Sequence, residues 1–305
     1  MPYNFHQMKK ILLLLAVVLT IMSCGQKDNQ QEQTETKKVI VPPGVPVAPL
    51  PESMTETQLP INTSSNQSNP DGPVLKLEEG KPLDLSPLMG QRKTLGEQVT
   101  TLIDTVRIKA EQGHPDYQYL YGASYEYGWG VEEDPKQAMT WYKKAADQKQ
   151  KASYNAIGNL YRTGNGVKAD NEEAFRWFNL GADANDAQAM LNVGNCYFYG
   201  MGTEKDIAQA VEWWQKAAEG GNTYAQSQMG DCYSYGLGVQ QNMEKAVEYY
   251  TQAADDNIAN AQYRLGLFYY YGQGVDADRT HAKLLLQKAR DGGMKEAQDF
   301  LDKNF

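Results

Sequence analysis

The heptapeptide YSYGLGV at residues 233–239 recurs in recognisable form five times along the chain. The other copies are YEYGWGV at 125–131, YRTGNGV at 161–167, YFYGMGT at 197–203 and YYYGQGV at 269–275, so consecutive copies lie 36 residues apart. A fixed period of this length is typical of solenoid proteins, which stack one supersecondary unit many times. The sequence therefore predicts about five stacked units that present a binding surface rather than an active site.

The hydrophobic spacing predicts two helices in each unit, one before the glycine pair and one after it. In the first unit, the stripe before the glycines falls at i, i+4, i+7 and i+8: Tyr117, Tyr121, Ser124 and Tyr125. The stripe after the glycines has the same kind of spacing: Ala138, Trp141, Tyr142, Ala145 and Ala146. Both stripes are typical of amphipathic helices. We name the first helix of each unit helix A and the second helix B.

The residues between the two helices have the turn chemistry that this assignment requires. Each paired glycine can adopt a positive φ after helix A, and one Asx residue per unit can cap helix B: Asp134, Asp170, Asp206, Asn242 and Asp278. A further glycine lies inside each helix A, where it costs about 1 kcal/mol relative to alanine. Those glycines are Gly122, Gly158, Gly194, Gly230 and Gly266. We expect them to allow helix B to approach helix A closely.

The pattern L/M-G-x-x-Y-x-x-G-x-G-V, followed by D-x-x-x-A-x-x-W-Y-x-x-A-A, resembles the Sel-one-like repeat, a relative of the tetratricopeptide repeat. The resemblance covers about residues 115–293, and the fifth copy departs from it at Leu285, Leu286 and Arg290. It implies an all-α fold, a right-handed superhelical α-solenoid of five helix-turn-helix repeats. It also implies a scaffold for protein complexes and brings no catalytic residues. We expect a capping half-repeat at 95–114 and a capping helix at 294–305.

The amino-terminal segment predicts export and lipid anchoring. Lys9 and Lys10 precede a largely apolar stretch from Ile11 to Met22 that is too short to span a membrane. The sequence Ile-Met-Ser-Cys that ends at Cys24 resembles the lipobox of bacterial lipoproteins, in which the cysteine is acylated. We therefore predict a signal peptide over 1–23, starting at Met1 or at Met8, and lipidation of Cys24. Because Gly25 rather than aspartate follows the cysteine, we expect the protein to be anchored in the outer membrane. The domain could face either the periplasm or the medium.

Residues 24–94 are predicted to form a disordered tether. The part up to Gly90 holds ten of the thirteen prolines and is rich in Gln, Thr, Ser and Asn. Such a composition cannot bury enough apolar surface to offset the entropy lost on ordering. Two short apolar stretches, residues 74–77 and 83–89, leave open the alternative that part of the tether docks on the solenoid.

Composition and motifs argue against several functional classes. The net charge of −9 disfavours nucleic acid as a partner. His114 and His281 lie in different units, and the chain has no zincin, G-x-S-x-G, S-x-x-K or Walker motif. Cys196 and Cys232 occupy one helix A position in neighbouring units, where packed helices hold the Cα atoms too far apart for a disulfide. We predict no enzyme activity, no metal, no cofactor, two free buried thiols and a monomeric chain.

The leading functional hypothesis is a cell-envelope lipoprotein that binds unidentified envelope proteins as a scaffold. A receptor for a carbohydrate or a peptidoglycan fragment is the alternative, since aromatic side chains can stack on sugar rings, and an envelope hydrolase is third. We place binding on the helix A face opposite the buried stripe, where residues differ between copies. The candidate partner-binding residues are Asn159, Arg162, Asn195, Phe198, Tyr199, Asp231, Tyr235, Tyr270 and Tyr271. In the other interpretation, the tyrosines only cover the glycine loop of the next repeat.

Two of these candidates occupy the place of a peptide-binding asparagine in carboxylate-clamp tetratricopeptide proteins, namely Asn159 and Asn195. Thr163, however, stands where that clamp has a lysine. The resemblance therefore does not imply that the ligand is the carboxylate at the end of a chain.

Overall fold

A computed structural model describes residues 92–305, and this part of the protein contains thirteen α-helices and no strand. The helices are α1 (Arg92–Thr101), α2 (Ile103–Glu111), α3 (Pro115–Tyr127), α4 (Pro135–Asp147), α5 (Lys151–Thr163), α6 (Asn171–Asp183), α7 (Ala187–Tyr199), α8 (Ile207–Glu219), α9 (Thr223–Tyr235), α10 (Met243–Asp255), α11 (Ala259–Tyr271), α12 (Arg279–Asp291) and α13 (Lys295–Asn304). The predicted signal peptide, Cys24 and nearly all of the predicted tether lie outside the described residues.

Five helical hairpins form the body of the described region. The A helices are α3, α5, α7, α9 and α11, the B helices are α4, α6, α8, α10 and α12, and all ten contain 13 residues. Each helix packs against the helix before it and the helix after it in the sequence. This sequential stacking is the organisation of an α-solenoid, and the predicted fold class is confirmed.

The caps that the sequence predicted are present at both sides of each turn. Every A helix ends at a glycine in the left-handed region, with φ values such as 69° at Gly128 and 70° at Gly200. At the start of α4, the Asp134 carboxylate accepts hydrogen bonds from the backbone N–H groups of Lys136 and Gln137 at 3.0 and 3.1 Å. The equivalent Asx residue caps each of the other four B helices. The turns are therefore fixed by local chemistry in every repeat.

The glycine inside each A helix allows a large side chain of helix B to lie against the backbone. A Cβ atom at Gly194 would be 2.5 Å from Cδ1 of Trp214, and one at Gly230 would be 2.5 Å from Cδ1 of Tyr250. The other three glycines meet Tyr142, Phe178 and Leu286 in the same way. Real Cβ atoms do not approach a ring this closely, so the close approach predicted from the sequence is confirmed.

The repeat core encloses two free thiols. Cys196 and Cys232 are both buried and neither forms a disulfide, as predicted. Burial raises the pKa of the Cys196 thiol to about 12, and it raises the pKa of the Cys232 thiol as well. Both side chains are therefore neutral and inert at ordinary pH.

Helices cover both ends of the hairpin stack. At the amino side, α1 and α2 pack on α3, and the chain breaks at Leu102 between them. The segment predicted as one half-repeat over 95–114 thus contains two helices, and the first begins at Arg92. At the other end, Ala297 and Leu301 of α13 are buried in one cluster with Leu286 of α12. None of the helices within residues 92–305 is long and apolar enough to cross a membrane.

Candidate protein-interaction face

One side of each A helix lies away from the stripe of residues that is buried in every repeat. Positions three, seven and ten of each 13-residue A helix are buried in all five repeats. With 3.6 residues per turn, positions two, five, nine and twelve lie on the other side of the helix, and positions six and thirteen lie between them and the buried stripe. We call the surface formed by these positions the A face. In α5 they are Ala152, Asn155, Ala156, Asn159, Arg162 and Thr163, and in α7 they are Gln188, Leu191, Asn192, Asn195, Phe198 and Tyr199.

Hydrogen bonds join consecutive A helices, so that the A face continues from one repeat to the next. The Asn192 side-chain amide of α7 donates to Asn155 Oδ1 of α5 at 2.7 Å. Comparable bonds run from the Asn222 amide to Gln188 Oε1 at 3.1 Å and from the Asn260 amide to Ser227 Oγ at 3.3 Å. The helices α5 and α7 also contact each other directly, as do α9 and α11.

Arg162 lies partly buried on the A face of the second repeat. Its Nε and Nη2 groups donate to Asn159 Oδ1 over 3.4 and 3.3 Å, and Asn159 is also partly buried. Arg162 has no carboxylate within 4.0 Å among the described residues. Burial lowers the pKa of Arg162, which is the direction expected for a charge removed from water without a counter-charge.

The third repeat fills its A face differently. Asn195 Oδ1 accepts a hydrogen bond from Trp214 Nε1 at 3.0 Å, so this asparagine is tied to its own helix B. Phe198 is 8% exposed and packs against Trp214 and Tyr199 at ring-centroid distances of 5.1 and 5.0 Å. The expectation that Phe198 faces outward is wrong, because the large indole of helix B extends beneath it. Tyr199 and Asn195 remain partly exposed.

A buried ionic network replaces the outward-facing residues expected in the fourth repeat. Asp231 is 1% exposed; its Oδ1 accepts from the Tyr250 hydroxyl at 2.7 Å and lies 3.8 Å from Arg264 Nε. Arg264, which is 5% exposed, donates from Nη1 to the Tyr235 hydroxyl at 3.1 Å. Tyr235 is 9% exposed. The expected outward orientation of Asp231 and Tyr235 is therefore wrong, since Arg264 of the next repeat lies over both.

Burial and charge act in opposite directions on this network. Burial raises the pKa of Asp231 to about 6, although Arg264 and the Tyr250 hydrogen bond act to lower it. Burial has the largest single effect on the pKa of Arg264 and acts to lower it, but the Asp231 carboxylate together with the nearby tyrosine hydroxyls outweighs burial, and the pKa is raised. The pair is thus a structural element of the joint between the fourth and fifth repeats.

The carboxy-terminal helix partly covers the last two predicted residues. The Tyr270 ring packs against Phe300 of α13 at 5.1 Å, and its hydroxyl donates to Asn304 Oδ1 at 3.4 Å and accepts from Arg279 at 3.0 Å. Tyr271 contacts the same Phe300 ring at 6.3 Å. Both tyrosines are partly exposed. Their roles in binding stay predictions, as do those of Asn159, Arg162, Asn195 and Tyr199.

Sequence reasoning missed three residues of the A face: Asn155, Asn192 and Arg264. Asn155 is at position five of α5 and Asn192 at position six of α7, and side chains at these positions approach each other across the joint. Pairing position five of one copy with position six of the next would have found the asparagine bond. The same pairing rule does not find Arg264, which is at position six of α11 but contacts Asp231 and Tyr235 at positions nine and thirteen of α9.

The A face carries hydrogen-bonding and aromatic groups. Within residues 92–305, no group of three or more His, Cys, Asp or Glu side chains could hold a metal ion. The face offers amides, one partly buried guanidinium and partly exposed phenols. Such groups can form hydrogen bonds and packing contacts with another molecule, and the fold that presents them is that of a helical-repeat protein.

Comparison with known proteins identifies the repeat. The family model described as Sel1 repeat matches the chain five times, at residues 115–149, 151–186, 187–222, 223–257 and 259–294. These matches cover more than half of the chain, and the protein belongs to the Sel1 repeat family. Proteins of this family are generally protein-interaction scaffolds, and their solenoid fold is typically non-catalytic.

Two solved structures are similar to this chain. A protective antigen present in uropathogenic Escherichia coli strains, which displays an SLR fold, is 36% identical with a TM-score of 0.60 over 70% of this chain and 46% of its own. A Sel1 repeat protein from Oxalobacter formigenes is 30% identical with a TM-score of 0.58 over 70% of this chain and 83% of its own. This chain thus spans less than half of the E. coli protein. No curated protein matches it.

Proposed function

We propose that this protein is a protein-interaction scaffold whose A face binds a partner protein of the cell envelope. The observation that carries the proposal is a contrast within the A helices. Positions three, seven and ten are buried in every repeat, whereas position twelve carries partly exposed residues of different chemistry in three repeats: Glu126, Arg162 and Tyr270. Packing of the repeats explains the burial of positions three, seven and ten, and recognition of a particular partner would explain the differences among the partly exposed residues at position twelve.

The proposed location rests on the amino-terminal sequence. The basic pair Lys9 and Lys10, the apolar stretch and the lipobox-like ending support acylation of Cys24. Because two or more acyl chains hold a protein stably on a membrane, lipidated Cys24 would anchor the solenoid there. The glycine at position 25 supports a location in the outer membrane.

A photo-crosslinking experiment in the native host tests the scaffold function. Thr163 is exposed at the last position of α5, and replacing it with p-benzoyl-phenylalanine in the full chain places a crosslinker on the A face. Arg176 on helix B of the same repeat is 69% exposed and serves as the matched control position. We expect a discrete crosslinked envelope protein from position 163 and none from position 176. Equal products at both positions, or none at position 163, would contradict the proposal.

Two further experiments test lipid anchoring at Cys24 and the alternative carbohydrate ligand. Cys24→Ala should move the protein and its crosslinked product out of the membrane fraction, and an unchanged distribution would contradict lipid anchoring. Purified full-length protein should not bind peptidoglycan fragments or other glycans on an array. Strong glycan binding without any protein crosslink would replace the scaffold with a carbohydrate receptor.

A further inference from the structure

Arg162 is the only arginine on α5 and α7, and neither helix contains an aspartate or a glutamate. The only other charged residue on these helices is Lys151, at the first position of α5. This absence of acidic residues is local, because the whole chain carries a net charge of −9. The A face of the second and third repeats is therefore a small positive and amide-rich area on an acidic protein.

The charge of Arg162 is not compensated within the described part of the protein. Besides burial, the only group that shifts its pKa is the Cys196 thiol, and burial raises the pKa of that thiol to about 12. The thiol is therefore neutral and supplies no counter-charge. A guanidinium stays protonated at any ordinary pH, so Arg162 is a permanent, partly buried cation. Removing a charge from water is unfavourable unless it gains a partner.

The neighbouring asparagines use their oxygens within the protein. Asn159 Oδ1 accepts from Arg162, and Asn195 Oδ1 accepts from Trp214 Nε1. In each amide this leaves the NH₂ group as the side available to a ligand, and Arg162 has further N–H groups beyond the two that reach Asn159. The local surface thus offers donors and few acceptors. Such a surface complements an anion with several acceptor oxygens.

We propose that Arg162, with the side-chain amide of Asn159 beside it, binds a carboxylate side chain, an aspartate or glutamate of the partner protein. This proposal rests on the proposed scaffold function and names the chemistry that the A face recognises. A carboxylate carries one negative charge and accepts two parallel hydrogen bonds from a guanidinium. A phosphate carries nearly two charges at neutral pH and would find one cation here. The single guanidinium therefore matches a carboxylate better than a phosphate.

The test uses nitrogen-15-labelled full-length protein and two matched probes. The probes are acetyl-Ala-Ala-Glu-Ala-Ala-amide and the same peptide with glutamine in place of glutamate, each at equal millimolar concentration. We expect the glutamate peptide to shift the Nε–H signal of Arg162 and the side-chain amide signals of Asn159. The glutamine peptide should leave those signals unchanged. Arg162→Gln should remove the amide shifts, and Arg176→Gln, which removes one exposed charge from α6, should retain them.

Several outcomes would overturn the carboxylate site. Equal shifts with the two peptides, no shift at Arg162, or an effect that survives Arg162→Gln would each do so. Inorganic phosphate that shifts the same signals at a lower concentration than the glutamate peptide would indicate a phosphate site instead. If the crosslink from position 163 persists in the Arg162→Gln protein, the scaffold function holds and only the carboxylate site fails. If no crosslink forms in the unmodified chain, the scaffold function itself fails.

Discussion

The second and third repeats differ from the fourth and fifth in how each pair holds an arginine on the A face. Arg264 lies over Asp231 of the preceding repeat, and both side chains are almost completely buried. Arg162 is hydrogen-bonded to Asn159, has no carboxylate within 4.0 Å among the described residues, and remains partly exposed. The difference shows that one helical scaffold can use an arginine to fix a joint between repeats in one place and leave it available to a ligand in another.

Replacing Arg264 should produce the largest effect on stability. Arg264→Gln leaves the Asp231 carboxylate buried without its cation, and removing one partner of a buried ion pair typically destabilises a protein by about 3 kcal/mol. Arg162→Gln is the matched control, because no carboxylate depends on that arginine, and its effect should stay within about 0.5 kcal/mol. Urea unfolding at neutral pH measures both. Losses of equal size would show that the two arginines have the same role.

The pH dependence of stability should distinguish the buried aspartate. Because the pKa of Asp231 is raised to about 6 in the folded protein, the folded state holds this proton more tightly than the unfolded state. The contribution of Asp231 to stability is therefore present at low pH and is lost as the pH rises from about 4 to about 6. Relative to Asp231→Asn, the unmodified protein should lose on the order of 2 kcal/mol across this range. If the stability of the unmodified protein relative to Asp231→Asn stays constant, or rises with pH, the pKa of Asp231 is not raised.

A carboxylate partner within the protein should prevent Arg162 from binding a carboxylate of another molecule. Asn159→Asp places a carboxylate where the amide oxygen now lies, 3.3 and 3.4 Å from two guanidinium nitrogens. We expect a gain of about 0.5 kcal/mol in stability, since the pair is only partly buried, together with loss of the glutamate-peptide shifts. In the Arg162→Gln background the same change should bring no gain. A gain of equal size in both backgrounds would mean that no pair forms.

The sequence predicted the scaffold in detail because each of its determinants is local. The helix periods, the left-handed glycines, the Asx caps and the glycine at position eight of each A helix all act within a single repeat, and the structure confirms them. The A face was predicted less well. Periodicity gives the direction of a side chain around its helix, but Asp231 and Tyr235 are covered by Arg264 of another helix. Contacts of that kind depend on which residues meet across a joint.

The glycine and the side chain that lies on it are 20 residues apart in every repeat, from Gly122 and Tyr142 to Gly266 and Leu286. An insertion or deletion within either helix between them would rotate the large side chain off the glycine, so the spacing inside the two helices is constrained. A whole hairpin, in contrast, brings its own glycine and its own large side chain. Gene duplication can therefore lengthen or shorten this protein by complete repeats. It can then diversify the A face of a new copy while the packing inside every hairpin stays the same.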